Sequence, residues 1–402
     1  MSREAIILAG GFGTRLREVV ADVPKPIAPI AGQPFLNYIL KYLKHFGFDK
    51  AVLSVGYQGE KIQDLYGNEF EGIKLEYAFE DEPLGTGGAI KFSMLKTTSE
   101  EVLVLNGDTF FEVDLDELYQ VHEELLGDVT MVLREVEKPD RYGTVVLAEY
   151  DRVSQFNEKQ EGLKSGLING GVYLIDRGAF ELVPLDQKFS IEQDYYAKYL
   201  ELIKIHGYIS TGYFIDIGIP EDYYTANEVF NIDPTWTLFL DRDGVINEKL
   251  DNDYVKSLEE FAFTEGALEA FELLEPMFDY IVVVTNQQGI GKGLMTEADL
   301  VLIHQNLKEE VTESGGRIDK IYHCPALATD NPICRKPASG MGLQAREDFP
   351  EIDFSKSIMV GDSASDMEFG DRLGMKCVKI GEDEVYESFD SLFHFAQRIS
   401  FQ

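Results

Sequence analysis

Residues 231–247 read NIDPTWTLFLDRDGVIN, and this stretch divides the chain. A helical pattern around 221–230 meets Pro234, which cannot continue it. TLFL then opens a fresh apolar strand that empties into an acidic loop, DRDG, so a new β-first unit begins here. A boundary near 231–236 follows, with one domain over 1–232 and a second over 236–402. The length agrees, since 402 residues exceed what one ordinary core organises. On both sides short apolar runs alternate with amphipathic stretches, the pattern of α/β domains with largely parallel sheets. Upstream, AIIL (5–8), AVLSV (51–55) and VLVLN (102–106) read as strands, and 34–46, 59–66 and 115–126 as helices. From 129 to 176 strands dominate, in TMVLREV, YGTVVLAEY and LINGGVYLI.

Composition excludes several classes. An apolar content of 44% with 12% aromatic residues is that of a globular protein, not a disordered one. With 36 Lys and Arg against 72 Asp and Glu, the formal charge of −36 would repel nucleic acid, so no such partner is expected. The same acidity suits a soluble cytoplasmic protein. It also means that any phosphate ligand must be held by a few local cations, magnesium ions and backbone N–H groups. The start, MSREAIILAGG, has an apolar run of only about five residues, too short for a signal core or a membrane span. No run of eighteen apolar residues occurs, and no membrane partner is expected. Three cysteines, Cys324, Cys334 and Cys377, cannot build a disulfide framework, and an odd count fits a reducing compartment.

In the first half, LAGGFGTRLRE (8–18) places Gly10, Gly11 and Gly13 directly after a strand, ahead of Thr14 and Arg15. Glycines let the backbone approach a polyphosphate and turn its N–H groups inward, and Arg15 adds a cationic fork. Read singly, such a turn is equally a tight strand exit. It is neither a Walker A loop nor GxGxxG. PKPIAPIAGQPFL (24–36) mounts Lys25 between two prolines, and EDEPLGTGGAI (80–90) is a second glycine-rich stretch. NGD (106–108) and FIDIGIPED (214–222) end strands with Asp108 and Asp216, two carboxylates suited to a hard metal ion.

Those elements, with FNEK (156–159) and NGG (169–171), occur in an order that resembles the sugar nucleotidyltransferase family over residues 1–230. The resemblance implies a Rossmann-like mixed sheet. It implies nucleotide contacts from Leu8, Ala9, Gly10, Gly11, Gly13, Thr14, Arg15, Lys25, Gly85 and Asp108, with Arg15 and Lys25 on the triphosphate. It further implies magnesium on Asp108 and Asp216, and a sugar pocket of Gly143, Glu158, Lys159 and Asn169. In such enzymes a sugar 1-phosphate oxygen attacks the α-phosphorus of a nucleoside triphosphate and pyrophosphate leaves. Positioning and charge neutralisation carry that step, with no protein nucleophile. Within the family, GTRLREVVADVPKPIAPIAGQPFL is most similar to heptose 1-phosphate guanylyltransferases, which favours GTP.

In the second half, DRDG sets Asp241 and Asp243 two residues apart at a strand end, an arrangement that can supply a nucleophile and an acid/base around one metal ion. An EF-hand loop does not fit, because its glycine belongs at the sixth position and a Glu must close it. IVVVTNQQG (281–289) delivers Thr285 and Asn286, CRKP (334–337) delivers Arg335 and Lys336, and IMVGDSASD (358–366) ends in Asp362 and Asp366. This order resembles the haloacid dehalogenase superfamily of phosphatases, across residues 237–380. The resemblance implies a Rossmannoid parallel sheet, with Asp241 as nucleophile and Asp243 as acid and then base. Thr285 and Lys336 would neutralise the transferring group, and Asn286, Arg335 and Lys336 would bind substrate. Magnesium would rest on Asp241, the Asp243 carbonyl and Asp362, with Asp366 orienting Lys336. GIGKGL (289–294) reads as a substrate-covering loop. The motifs are closest to the heptose 1,7-bisphosphate and histidinol-phosphate phosphatases, some of which carry a zinc-stapled loop. Here Ala326 and Pro332 stand where ligands would be, leaving two thiolates and a misplaced His323, so zinc is not expected. Ser363 also stands where a lysine is common.

Together the resemblances imply a bifunctional enzyme of activated-heptose synthesis, acting on sugar phosphates and GTP with magnesium in both domains. The alternatives are the same chemistries on a mannose-type sugar, another base or a histidinol-phosphate-like substrate. A ligand sensor without turnover is a third reading, against which Lys25, Asp108 and Asp241 all stand. Tethering should give little channelling, and a homo-oligomer is left open.

Overall fold

The computed structural model describes residues 3–11, 16, 19–20, 23–157, 159, 162–230, 234–250 and 253–400. The chain divides into two compact units, Met1–Asn231 and Ile232–Gln402.

In the first unit the apolar run EAIIL forms the strand Glu4–Leu8, buried between Lys50–Val55 and Glu101–Asn106, both parallel to it. Ile73–Phe79 extends the parallel part beyond Lys50–Val55. On the other side Ser165–Asp176 joins antiparallel to Glu101–Asn106 and carries Thr144–Leu147 and then Val153–Asn157. The sheet of the first unit is thus mixed, with ten strands among the described residues. The amphipathic stretches form helices Phe35–His45, Gly59–Tyr66, Leu115–Leu125 and Pro220–Val229, within a residue or two of expectation. Buried Ile6, Val52, Val104, Met131 and Tyr173 share one core, which holds the C-terminal strand ends in place.

The second unit has a six-stranded sheet in the order Lys320–Cys324, Tyr280–Asn286, Thr237–Leu240, Ser357–Gly361, Lys376–Ile380, Glu387–Phe389. Every pairing is parallel. TLFL is buried at all four positions because both neighbours and both faces cover it, which is why it is apolar without alternation. Cys324 and Cys334 are joined by a disulfide, with Cα atoms 5.4 Å apart, a pairing the cysteine count did not foresee. The chain between them leaves and returns to one place, so the two thiols meet. No described helix is long and apolar enough to cross a membrane.

Candidate functional site

The first unit gathers a cation and two carboxylates from distant segments. The short antiparallel pair Phe214–Asp216 with Thr109–Phe111 sets Asp216 opposite Thr109, and so beside Asp108. The Ile217 N–H donates to the Asp108 carbonyl at 3.0 Å, locking the two loops together. Lys25, mounted between Pro24 and Pro26, reaches Asp108 Oδ2 with its Nζ at 3.0 Å. Asp216 Oδ1 accepts from the Gly218 N–H at 2.8 Å. Burial, and next the charge of Asp108, push the Asp216 carboxyl above its ordinary value, against the pull of that N–H and of Lys25. Two carboxylates crowded so closely, one of them resisting ionisation, fit a divalent cation.

Around this cluster the glycines have steric reasons. A Cβ on Gly107 would lie 2.8 Å from the Leu8 carbonyl oxygen, so only glycine lets the NGD turn cross the first strand. In PLGTGGA, a Cβ on Gly85 would meet the Phe189 carbonyl oxygen at 2.6 Å, and one on Gly88 the Gln187 carbonyl oxygen at 2.3 Å. That stretch is therefore glycine-rich in part because the 187–189 backbone packs on it. Leu8, Ala9, Gly10 and Gly11 do line the strand exit, with the Ala9 N–H donating to the Ser54 carbonyl at 2.8 Å. Gly13, Thr14, Arg15 and Glu158 lie outside the described residues.

Asn169 sits where the strand Ser165–Asp176 shifts register against Val129–Glu137. Its amide donates to Tyr173 Oη at 2.6 Å and to Glu192 Oε1 at 2.8 Å. Gly143 packs against the Asn157 carbonyl, and Lys159 is exposed. Sequence reading passed over Glu192. It also passed over Glu80, whose Oε1 accepts from Ser54 Oγ at 3.2 Å and would lie 3.1 Å from a Cβ on Gly10. Glu80 Oε2 accepts from the Leu84 N–H at 2.9 Å. Glu80 carried no signal beyond its place in the quoted stretch 80–90, and Glu192 carried none.

In the second unit three adjacent strands end together. Leu240 pairs with Val283 on one side and Val360 on the other, so Asp241, Thr285 and Asp362 emerge at the same sheet edge. Carboxyl ends of parallel strands are where α/β sheets place ligands. Asp241 Oδ1 accepts from the Arg242 N–H at 2.7 Å and from Lys336 Nζ at 2.7 Å. Lys336, almost wholly buried, also meets Asp366 Oδ1 at 2.6 Å. Asp366 Oδ2 caps the helix Ala364–Leu373 through the Ser363 N–H and hydroxyl. Asn286 clamps Lys336 by exchanging two bonds with its backbone. Burial, then the charge of Asp366, push Asp241 up to about 7 despite Lys336.

One oxygen each of Asp241, Asp362 and Asp366 lie within 4.8 Å of one another, and Asp362 Oδ1 is buried without a hydrogen-bond partner. A buried acceptor with nothing to accept, among converging acids, fits a divalent cation. Gly244, at φ +91°, completes the cradle, since a Cβ there would lie 2.4 Å from Asp362 Oδ2. Arg335 brings a donor of the same kind, for its Nη1 is buried and has no partner.

Asp243 is held by residues that the sequence reading left without roles. Arg242, fully buried, binds Asp243 Oδ1 at 2.7 Å, Asn247 Nδ2 binds the same oxygen at 3.0 Å, and Gln287 Nε2 binds Oδ2 at 2.8 Å. Gln287 Nε2 also donates to Thr285 Oγ1 at 2.9 Å. Burial would raise the Asp243 carboxyl, but Arg242 and these donors outweigh it and hold it below its ordinary value. Behind Arg242, His304 Nε2 accepts from Nη1 at 3.2 Å, and burial beside Arg242 pushes the imidazole down to about 3, so it stays a neutral acceptor.

Comparison with known proteins bears on both units. Residues 4–231 match the nucleotidyl transferase family model, and residues 333–385 match a HAD-hydrolase-like model. The chain is 49% identical over 226 residues to D-glycero-alpha-D-manno-heptose 1-phosphate guanylyltransferase of Aneurinibacillus thermoaerophilus, covering 56% of this chain and 97% of that protein. A protein of the same description from Campylobacter jejuni is 48% identical over 221 residues, 55% of this chain and 97% of that one. Among solved structures, HddC from Yersinia pseudotuberculosis is 36% identical with a TM-score of 0.52, covering 57% of this chain and 99% of that chain. The same protein complexed with GMP-PN gives a TM-score of 0.50 at equal identity and coverage.

Proposed function

The chain belongs to the nucleotidyl transferase family through residues 4–231, and from that premise we propose that it makes a GDP-activated heptose in two steps. The C-terminal unit would remove the 7-phosphate of D-glycero-D-manno-heptose 1,7-bisphosphate. The N-terminal unit would then transfer GMP from GTP to the 1-phosphate, giving GDP-heptose and pyrophosphate. The observation that carries the sugar and the base is the near-complete coverage, at 49% identity, of a relative described as a heptose 1-phosphate guanylyltransferase.

In the transferase, Lys25 neutralises the triphosphate, and Asp108 and Asp216 would hold magnesium, which would supply positive charge to the attacked phosphate. Asn169, steadied by Tyr173 and Glu192, would orient the sugar beside Gly143 and Lys159. In the phosphatase, Asp241 Oδ1 is occupied by Lys336 and the Arg242 N–H, which leaves Oδ2 to attack phosphorus. Asp243, held ionised by Arg242, Asn247 and Gln287, would take up the proton that Asp241 sheds before it attacks, pass it to the leaving sugar oxygen, and then take one from the water that cleaves the aspartyl-phosphate. Thr285, Lys336 and the unpartnered Arg335 Nη1 meet the phosphate oxygens. Magnesium on Asp241, the Asp243 carbonyl and Asp362 would stabilise the same oxygens.

The test is incubation of the full chain with the bisphosphate and each of four nucleoside triphosphates, following phosphate and pyrophosphate separately. Phosphate release in every mixture, and pyrophosphate release with GTP above the others, is expected. Release of phosphate only from a different sugar phosphate would overturn the heptose reading.

Glu80 offers a reason for guanine preference. A carboxylate at the glycine-rich exit accepts from both the N1–H and the N2 amino group of guanine, which no other common base presents as a donor pair. Glu80→Gln turns one acceptor into a donor, and kcat/KM for GTP should fall about tenfold with UTP unaffected. An equal fall with both nucleotides would assign Glu80 to the loop instead.

A further inference from the structure

Lys249 has no part in the sites described so far, yet its Nζ lies 2.5 Å from Asp362 Oδ2. The two partners differ in setting: the lysine side chain is 53% exposed and the aspartate 16%. Apart from Arg335, whose Nη1 has no partner, the other cations nearby are committed. Lys336 is buried between Asp241 and Asp366, Arg242 is buried against Asp243, and Lys379 Nζ donates to the backbone carbonyls of Asp362 and Ile380.

A divalent cation seated between Asp241 and Asp362 would meet the ammonium group at the same carboxylate, and two like charges there repel. Of the two, Lys249 is the one able to leave, because it stands on a long, half-exposed stem. It cannot go far. Its segment follows Asn247, which is bonded to Asp243, and Tyr254 beyond it accepts from Gln288 Nε2 at 2.6 Å. An ammonium freed there stays beside Asp362, at the strand ends that also carry Asp241 and Thr285, in a chain with few cations to offer a phosphate.

We propose that Lys249 is an exchangeable cation of the C-terminal site. It pairs with Asp362 while the metal is absent and passes to a phosphate oxygen once the metal is bound. The second half of this proposal rests on the phosphatase reading of the site.

The experiment uses full-length Asp216→Asn protein, so that the N-terminal metal site is weakened equally throughout, with Lys249 intact or changed to Met or Arg. Binding of Mn2+ is followed by electron paramagnetic resonance, and binding of inorganic phosphate in saturating Mg2+ by calorimetry. Lys249→Met should bind Mn2+ about fivefold more tightly, the worth of losing a half-exposed competing ion pair. It should bind phosphate about tenfold more weakly, the worth of one charge-assisted hydrogen bond. Lys249→Arg should restore phosphate binding. Unchanged or weaker Mn2+ binding in Lys249→Met overturns the exchange, and unchanged phosphate binding overturns the second role. Neither readout needs turnover. If the unmodified chain hydrolyses no sugar phosphate, the phosphatase reading fails while the two titrations still decide the proposal.

Discussion

Asp241→Asn is expected to lower phosphate release from the bisphosphate by about 10⁴-fold or more, with pyrophosphate release from GTP and heptose 1-phosphate within about twofold of the original. The amide cannot attack phosphorus, and no neighbour replaces it. Asp243 is held on both oxygens, and Asp366 is spent on Lys336 and the helix cap. Folding should survive. Burial and Asp366 already oppose the charge of Asp241, so a neutral isostere relieves a crowded pair, while Lys336 keeps Asp366 as its partner. An unchanged or higher unfolding temperature is the check on that point. Retention of phosphatase activity above about a tenth would show that Asp241 is not the nucleophile.

Lys25→Met should produce the opposite pattern. Transferase kcat/KM should fall about 10³-fold, the scale of removing one preorganised charge from a phosphoryl-transfer site, with phosphate release unchanged. The rigid mount is the reason for so large a value. Pro24 and Pro26 fix the backbone on both sides of Lys25, and its Nζ is held 3.0 Å from Asp108, so little reorganisation remains for the reaction. Losing the cation also leaves Asp108 and Asp216 facing each other, and magnesium should then bind at lower concentration, since no ammonium competes for Asp108. A loss below about tenfold would confine Lys25 to structure. Measured side by side, the two variants should each silence one activity and spare the other.

The local sequence carried much of the fold. Helices such as Phe35–His45 and Leu115–Leu125 announce themselves by apolar period, and fully buried strands such as Thr237–Leu240 by short unbroken apolar runs. The cluster of Asp241, Lys336, Asp362 and Asp366 was legible as well, because each residue closes a strand or follows a recognisable turn. Other features were not. Nothing near Lys249 or Glu192 points to Asp362 or Asn169, since those contacts join segments 113 and 23 residues apart. The bridge between Cys324 and Cys334 depends on a loop returning to its origin, which no count of cysteines foretells.

TLFLDRDGVIN alone determined that a buried strand delivers two aspartates to a loop, because strand burial and turn chemistry are properties of consecutive residues. What those aspartates face was decided only by tertiary structure. Parallel pairing of Thr237–Leu240 with Tyr280–Asn286 and Ser357–Gly361 brings three strand ends into one edge. There, burial and neighbouring charge raise Asp241, while Arg242 and Gln287 hold Asp243 down. Arg242 adjoins both aspartates in the chain, but the fields of Asp366 and Lys336 on Asp241 and the bond from Gln287 to Asp243 exist only once distant residues meet, and the two are driven to opposite behaviour.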